Sequence, residues 1–330
     1  MGKPRVDLAL LFMVAAVLSV SPHPVLADSS CSTLDASVTF SSTLSLPPTS
    51  SAPFVKIREA IAQGHFELAA NLLDKTPRGA ERSLWRGMLL LHLGKTFASI
   101  RSLEAAAHFQ DSSTIETLLA VDYLLLNQRQ LTVRSIQKSL ALEPGNKLAL
   151  YLQGRYDFVT HNYSQAIEDL QVVLKTEPDD YRSLYYLGYS KWRLGDTAGA
   201  SRDLRRSVDI IQCKQIDFIA APETLAELEL QTNDLAQALA DADWAYRTAA
   251  QSKDPEDNIE NASNVLLLRG KIHSALRRQP EAIEDWRQAL KLNPALAECW
   301  YLLAHLYRQR GEVDLANQAL THFKALHEDL

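Results

Sequence analysis

Two consecutive segments of 34 residues, 147–180 and 181–214, repeat each other, and this internal repetition limits the possible folds more than any other feature of the chain. Self-similarity at a fixed period of 20–50 residues is typical of solenoids and arrays, in which each repeat is one supersecondary unit. The chain is therefore predicted to stack similar units along one dimension. The residues that coincide are Leu150 with Leu184, Gly154 with Gly188, Ala166 with Ala200 and Leu170 with Leu204.

Each segment has the pattern of two amphipathic helices joined by a tight turn, because apolar residues recur at helical spacing in both halves. The first half carries Gly154 and the second carries Ala166, and both have almost no side chain. A glycine inside a helix costs roughly 1 kcal/mol relative to alanine, so its recurrence at one position indicates a packing role. We expect the two helix backbones to approach closely there.

Short polar residues mark where these helices begin. Asn162 and Asp196 lie between the two helices of their segments, where a side-chain oxygen can accept a hydrogen bond from an orphan N–H group. Gln165 follows Asn162 at the spacing of a capping box. Pro178 ends one segment, and Asp180 is predicted to cap the next helix.

This pattern resembles the tetratricopeptide repeat, which places a large residue, Leu-Gly and Tyr in its first helix, Ala and Phe in its second, and then Pro. The resemblance implies an all-α fold, a right-handed α-solenoid of stacked antiparallel helix pairs. An ordinary helical bundle is the alternative, but it would not place small residues at the same two positions in every period. The predicted repeats are 80–112, 113–146, 147–180, 181–214, 219–252, 263–296 and 297–330, after a degenerate helix pair at 53–76.

The chain before the repeats, which run over 53–330, is predicted to hold two further segments. Residues 1–27 have the order of a secretory signal peptide: Lys3 and Arg5, then an apolar run, then small residues before Asp28. The protein is therefore expected to be exported, either periplasmic or secreted, with no transmembrane domain in its mature form. The alternative is tethering to the membrane by an uncleaved signal anchor. Residues 28–52 are rich in Ser, Thr and Pro, which predicts a flexible linker.

Composition and motifs indicate binding rather than catalysis. A formal net charge of −6 and a pI near 5.9 give no reason to expect nucleic acid as a partner. No metalloprotease, nucleophile-elbow, phosphate-binding or dinucleotide-binding motif occurs in the sequence. We therefore expect no enzyme activity, no cofactor and no metal site.

Two insertions and three cysteines interrupt the regular pattern. Residues 215–218 add four residues between repeats, and the acidic residues 253–262 add ten, which are expected to form a loop or to lengthen the neighbouring helices. Cys213 and Cys299 lie in repeats that are separated along the stack, so we expect no disulfide between them. Only Cys31, in the linker, is expected to reach either of them.

The resemblance also implies a binding surface. In tetratricopeptide arrays the first helix of each repeat lines a concave groove, mainly through positions 2, 5, 9, 12 and 13. Tyrosine, tryptophan and arginine, the residue types that dominate binding hot spots, occupy these positions in the middle of this chain. The asparagine of the family's carboxylate clamp is absent from position 9, so binding of chaperone tails is not expected. The candidate groove residues are Tyr151, Arg155, Phe158, Arg182, Tyr185, Tyr189, Trp192 and Arg193.

Two functions remain open at this point. The first is an exported scaffold that binds a segment of a partner protein or a peptide in the groove. The second is a cell-envelope accessory that binds or helps to process glycans, because tyrosine and tryptophan faces beside arginine also suit sugars.

Overall fold

The computed structural model describes residue 49 and residues 51–251 and 255–328. These residues form sixteen α-helices and no strand, so the all-α prediction is confirmed. In chain order the helices are α1 (Ala52–Ala62), α2 (Phe66–Asp74), α3 (Ala80–His92), α4 (Thr96–Ala107), α5 (Ser113–Leu125), α6 (Arg129–Leu142), α7 (Lys147–Val159), α8 (Tyr163–Thr176), α9 (Tyr181–Arg193), α10 (Thr197–Lys214), α11 (Ala220–Gln231), α12 (Leu235–Ala249), α13 (Pro255–Ala275), α14 (Gln279–Leu292), α15 (Ala297–Gln309) and α16 (Val313–Glu328).

The helices form hairpins, and each hairpin turns through one residue in the left-handed backbone region. In each of the seven repeats from residue 80 onward, that residue stands at the fifteenth position. Glycine adopts this conformation without steric cost, whereas other residues pay for it. The residues with positive φ at these turns are Gly64, Gly94, Asn127, His161, Gly195, Asn233, Arg277 and Gly311.

The chain divides between Tyr186 and Leu187, inside α9, into an N-terminal body and a C-terminal body. In the N-terminal body α1 packs on α2, α3 on α4, α5 on α6 and α7 on α8. The second helix of each hairpin also packs on the first helix of the next, as α4 does on α5. Each hairpin therefore buries its apolar faces against its neighbours, with Trp85, Met88 and Ile136 among the fully buried side chains.

The C-terminal body repeats this packing with α11 to α16. Trp286 on α14 is buried and donates a hydrogen bond from Nε1 to the carbonyl oxygen of Leu267, at 3.1 Å. Arg269 on α13 donates from Nε to Asp285 on α14, at 3.0 Å, and its Nη1 lies 3.2 Å from Asp243 on α12. These contacts join three consecutive helices through polar as well as apolar groups.

Small residues lie where the two helices of a hairpin are closest. A Cβ atom built on Gly87 would stand 2.6 Å from the side chain of Leu103, and one on Gly188 would stand 2.8 Å from Leu204. The Oγ atom of Ser99 lies across the same gap, 2.9 Å from the carbonyl oxygen of Gly87. The predicted close approach of paired helices is therefore confirmed at these positions.

The predicted helix caps are confirmed in part. Asp196 accepts a hydrogen bond from the backbone N–H of Gly199 at 2.9 Å, and Asp180 accepts one from that of Ser183 at 3.0 Å. The prediction for Asn162 is wrong, because its side chain makes no cap bond. Its amide instead donates to the side chains that precede it on α7 and in the turn, at 3.3–3.4 Å.

The two insertions have different structures. Residues 215–218 form a loop, which Gln215 opens in the left-handed conformation with a φ of 49°. The interpretation of 253–262 as a loop is corrected, because α13 begins at Pro255 and runs for 21 residues. The alternative that the insertion lengthens a neighbouring helix therefore applies, and proline at the first helical position suits such an extension.

Three sequence predictions fall on residues outside the described part of the chain. They are the signal peptide at 1–27, most of the linker at 28–52 and the role of Cys31. Cys299 has a free, buried thiol, and Cys213 takes part in a disulfide. Among the described residues, no helix combines the length and the apolar character that crossing a membrane requires.

Candidate functional site

An aromatic cluster in the N-terminal body brings together three of the candidate groove residues and the neighbouring Tyr186. The ring of Phe158 on α7 lies 4.9 Å from that of Tyr186 and 6.4 Å from that of Tyr185, both on α9. The Tyr151 ring lies 6.2 Å from that of Tyr186. Rings at such distances and tilted angles attract one another beyond the area they bury. Helix α7 therefore packs against the first two turns of α9 through this cluster.

Arg155 lies within this cluster and is only 4% exposed. It hydrogen bonds to the side chain of Tyr186. Burial works to lower the pKa of the guanidinium, but Tyr186 and Tyr151 outweigh it and the pKa is raised, so Arg155 stays a cation. No carboxylate pairs with Arg155 within residues 51–251 and 255–328. A buried charge without a counter-charge is costly, and such groups concentrate at functional sites.

A small pocket of about 30 Å³ adjoins Arg155. One or two water molecules fill such a volume, so it admits a small group such as a carboxylate but not a large side chain. Its walls are mainly apolar, and α5, α6, α7 and the hairpin turns supply them. The lining residues are Leu124, Asn127, Arg129, Thr132, Leu152, Arg155, Tyr156, Val159 and Thr160.

The candidate groove residues of the N-terminal body differ in how deeply they are buried. Tyr151, Arg182 and Tyr185 are buried like Arg155, whereas Phe158 is half-buried. Arg182 lies with its guanidinium 5.1 Å from the ring centre of Tyr181. These four side chains are therefore enclosed rather than open to solvent, and the ring of Tyr186 packs against that of Tyr151.

The remaining candidate groove residues belong to the C-terminal body. Tyr189 and Trp192 on α9 are half-buried and meet edge to face with ring centres 5.7 Å apart, while Arg193 is exposed. On α11, burial and the charge of Glu227 one turn away raise the pKa of Glu223 to about 7. Positions 5 and 9 of this repeat are thus acidic, in contrast to Arg155 at position 9 of repeat 147–180.

Sequence reasoning missed one member of the aromatic cluster and two residues that line the pocket. Tyr186 stands at position 6, which the groove register does not include, although the Tyr185-Tyr186 pair was a visible signal. Asn127 and Arg129 lie at and beside a hairpin turn, and no sequence pattern marks a turn as part of a groove. The described residues hold no group of three histidine, cysteine or acidic side chains that could bind a metal ion.

The helical hairpins recur along the chain, each with a left-handed residue at its turn. This arrangement places the chain in the class of helical-repeat proteins. The sequence then specifies the repeat type: residues 151–210 match the profile of the tetratricopeptide repeat, and residues 270–314 match a second TPR repeat profile. These two stretches are similar to tetratricopeptide repeats, in agreement with the resemblance that the sequence pattern suggested.

A human protein, tetratricopeptide repeat protein 6, is 25% identical to this chain over 123 residues, which are 36% of the chain and 24% of that protein. The chain thus spans about a quarter of the length of this relative.

Two solved structures have a similar fold. The anaphase-promoting complex hetero-tetramer Cut9–Hcn1 matches at a TM-score of 0.59 and 16% identity, over 88% of this chain and 55% of that one. PilF of Pseudomonas aeruginosa matches at a TM-score of 0.58 and 18% identity, over 68% of this chain and 97% of that one. Identities this low show a shared fold and nothing further.

Proposed function

We propose that this protein is an exported interaction scaffold that binds a segment of a partner protein at the pocket beside Arg155. The similarity to tetratricopeptide repeats supports the role of a scaffold that binds other proteins. Binding rather than catalysis is the proposed work of the site, since the tetratricopeptide repeat fold is typically a non-catalytic scaffold.

The observation that carries this proposal is the uncompensated charge of Arg155. Its guanidinium is buried, charged and without a carboxylate among the described residues, and it lines an open pocket. A carboxylate of the partner would supply the missing counter-charge and accept hydrogen bonds from the planar guanidinium. The small volume of the pocket favours the end of one acidic side chain, while the apolar walls favour apolar residues beside it.

Replacement of Arg155 by methionine separates binding from folding. Methionine fills a similar space without a charge, and replacing buried charges by apolar groups is often neutral or stabilising. We therefore expect Arg155→Met to keep or raise the melting temperature. In a peptide-display selection, the wild-type protein is expected to enrich peptides with an acidic residue next to apolar ones, and Arg155→Met is expected to lose that enrichment.

Arg134→Met is the matched control, because Arg134 is an exposed arginine on α6 of the same body. It should leave both the melting temperature and the selected peptides unchanged. A marked loss of stability in Arg155→Met, with unchanged peptide selection, would show that Arg155 is structural and contradict the proposal.

Export is a separate part of the proposal and rests on residues 1–27. Cleavage after residue 27 would leave Asp28 at the mature N-terminus. Intact-mass measurement of the protein from the exported fraction is the test. A mass that retains residues 1–27, in the membrane fraction, would support the uncleaved signal anchor instead.

The glycan alternative has no support in the N-terminal body. Sugar binding requires an open aromatic face, and the rings of Tyr151 and Tyr185 are buried. We therefore propose a protein partner.

A further inference from the structure

A second cleft, distinct from the pocket beside Arg155, lies on the α3–α4 hairpin. It has a volume of about 280 Å³, and its lining includes two arginines and two serines. Arg86 and Arg101 are both exposed. Within the described residues neither forms an ion pair or a side-chain hydrogen bond. The cleft is lined by Ser83, Arg86, Leu90, Ala98, Arg101, Ser102 and Ala105.

The other repeats show how such a cation is neutralised. Position 23 of a repeat is aspartate in four consecutive repeats, and in three of them this aspartate holds a cation. Lys191 lies 2.5 Å from Asp203, and Arg205 lies 2.8 Å from Asp241. The aspartates are Asp169, Asp203, Asp241 and Asp285.

Arg269 and Arg86 occupy the same position in their repeats, the seventh. Arg269 is held by Asp285 at position 23 of its own repeat and by Asp243 of the preceding one. In repeat 80–112 position 23 is Ser102, whose hydroxyl donates to the carbonyl oxygen of Ala98 at 3.0 Å. Arg86 therefore stands in the place of Arg269 without either acidic partner.

The preceding hairpin leaves this face open. Helix α2 ends at Asp74 after nine residues, whereas α6 and α8, at the corresponding places, have fourteen residues each. Asp74, the last residue of α2, pairs with Arg82 at 3.3 Å instead of reaching into the cleft. Phe97, which is 69% exposed, lies one turn before Arg101 on α4 and adds an apolar surface at the edge.

We infer that this cleft binds an acidic segment of a partner protein, whose carboxylate takes the place at Arg86 that Asp285 takes at Arg269. Charge complementarity carries the assignment, because two unpaired guanidinium groups in one cleft match a carboxylate better than any neutral group. Phe97 beside them suits an apolar residue next to the acid. The inference is independent of the pocket at Arg155, with which the cleft shares no residue.

Ser102→Asp tests the inference by supplying the missing acid from within the chain. The aspartate is expected to pair with Arg86 and so to abolish binding of a fluorescein-labelled octaglutamate peptide, measured by anisotropy at low salt. The melting temperature should stay the same or rise. Ser102→Asn has the same shape without the charge and should bind the peptide like the wild-type protein.

The double variant Arg86→Gln, Arg101→Gln is expected to bind the peptide about tenfold more weakly or worse, because charge-assisted hydrogen bonds are lost. Its matched control is Arg134→Gln, Arg202→Gln, which removes two exposed arginines from the position of Arg101 in other repeats. Equal weakening by both doubles would overturn the inference, since it would reflect overall charge alone. Inorganic phosphate or phosphatidylglycerol vesicles that bind the cleft as tightly as the peptide would overturn it as well.

Discussion

Leu170 on α8 lies so close to Gly154 on α7 that a Cβ atom on the glycine would stand 2.8 Å from the leucine Cγ. Real Cβ atoms essentially never approach other heavy atoms this closely, so a larger residue at 154 requires the Leu170 side chain or the helices to shift. The same relationship joins Gly188 to Leu204 and Gly270 to Trp286. It explains why a glycine that weakens the helix recurs at one position of the repeat.

Gly154→Leu should therefore destabilise the protein by about 1–3 kcal/mol, because overpacking forces backbone shifts. Ala166→Leu, at the fully buried position that faces the same crossing, should act in the same direction. Chemical denaturation measures the loss. Gly145→Leu is the control, since nothing lies within 4 Å of a Cβ at Gly145. Equal stability of the 154 and 145 variants would contradict the assigned packing.

Arg277 holds a left-handed backbone conformation, with a φ of 60°, at the turn between α13 and α14. Glycine occupies the same position of the next repeat at Gly311, with a φ of 77°. Arg277→Gly should raise stability by up to about 1 kcal/mol, because the relief of αL strain exceeds the entropy that glycine adds to the unfolded chain. Gly311→Ala should lower stability. A loss of stability in Arg277→Gly would show that the contacts of the arginine side chain stabilise the protein by more than the backbone strain costs.

Asp122 is fully buried and accepts a hydrogen bond from Ser99 at 2.6 Å. Burial raises its pKa from 3.8 to about 7, although the bond from Ser99 works against the shift. The folded protein therefore binds a proton more tightly than the unfolded chain. The resulting stability is present in full below the unfolded value of 3.8 and is lost as the pH rises through about 7.

Asp122→Asn removes this titration while keeping the shape of the side chain. The variant should be more stable than the wild-type protein at pH 8, by on the order of 1–3 kcal/mol, and the difference should shrink toward pH 4. Denaturation curves of both proteins over this range measure it. Glu223 and Glu229 also have raised pKa values, so only the difference between the two curves reports on Asp122. A difference that does not change with pH would contradict the assignment.

Trp192 is half-buried against Tyr189, and we propose it as a binding residue of the C-terminal body. Trp192→Ala should weaken partner binding by about 2 kcal/mol or more, as truncation of a hot-spot tryptophan does. The melting temperature should fall only slightly, because part of the ring is already in contact with water. Both quantities are to be measured on one preparation. A stability loss of several kcal/mol with unchanged affinity would assign Trp192 to the core instead.

The sequence predicted the helices well because their signals are local. Periodic apolar residues, Pro178 after one hairpin and Asp180 and Asp196 at helix starts each act within one or two turns of chain. The insertion at 253–262 was interpreted as a loop because its composition is charged. No helix-breaking residue follows Pro255, however, and the helix runs on from there. Hairpin turns were foreseen, whereas the uniform left-handed residue was not, because only half of those residues are glycine.

The candidate site was less predictable, since it depends on side chains from different helices. The register of the repeat placed Tyr151, Arg155 and Tyr185 on one face, but it says nothing of how large the neighbouring rings are. Tyr186 packs against both Phe158 and Tyr151, and a small pocket adjoins Arg155. The register likewise gave no sign that Arg86 lacks the acid that Arg269 has, because that requires knowledge of which positions meet across a hairpin.

Helical hairpins follow from the amino-acid sequence, because a 34-residue period with small residues at two positions is typical of repeated helix pairs. Which groove residues are buried and which charges are paired follows only from the contacts between helices. Helix formation and capping depend on residues that are close in the sequence. Burial and ion pairing depend on the side chains of the neighbouring hairpin.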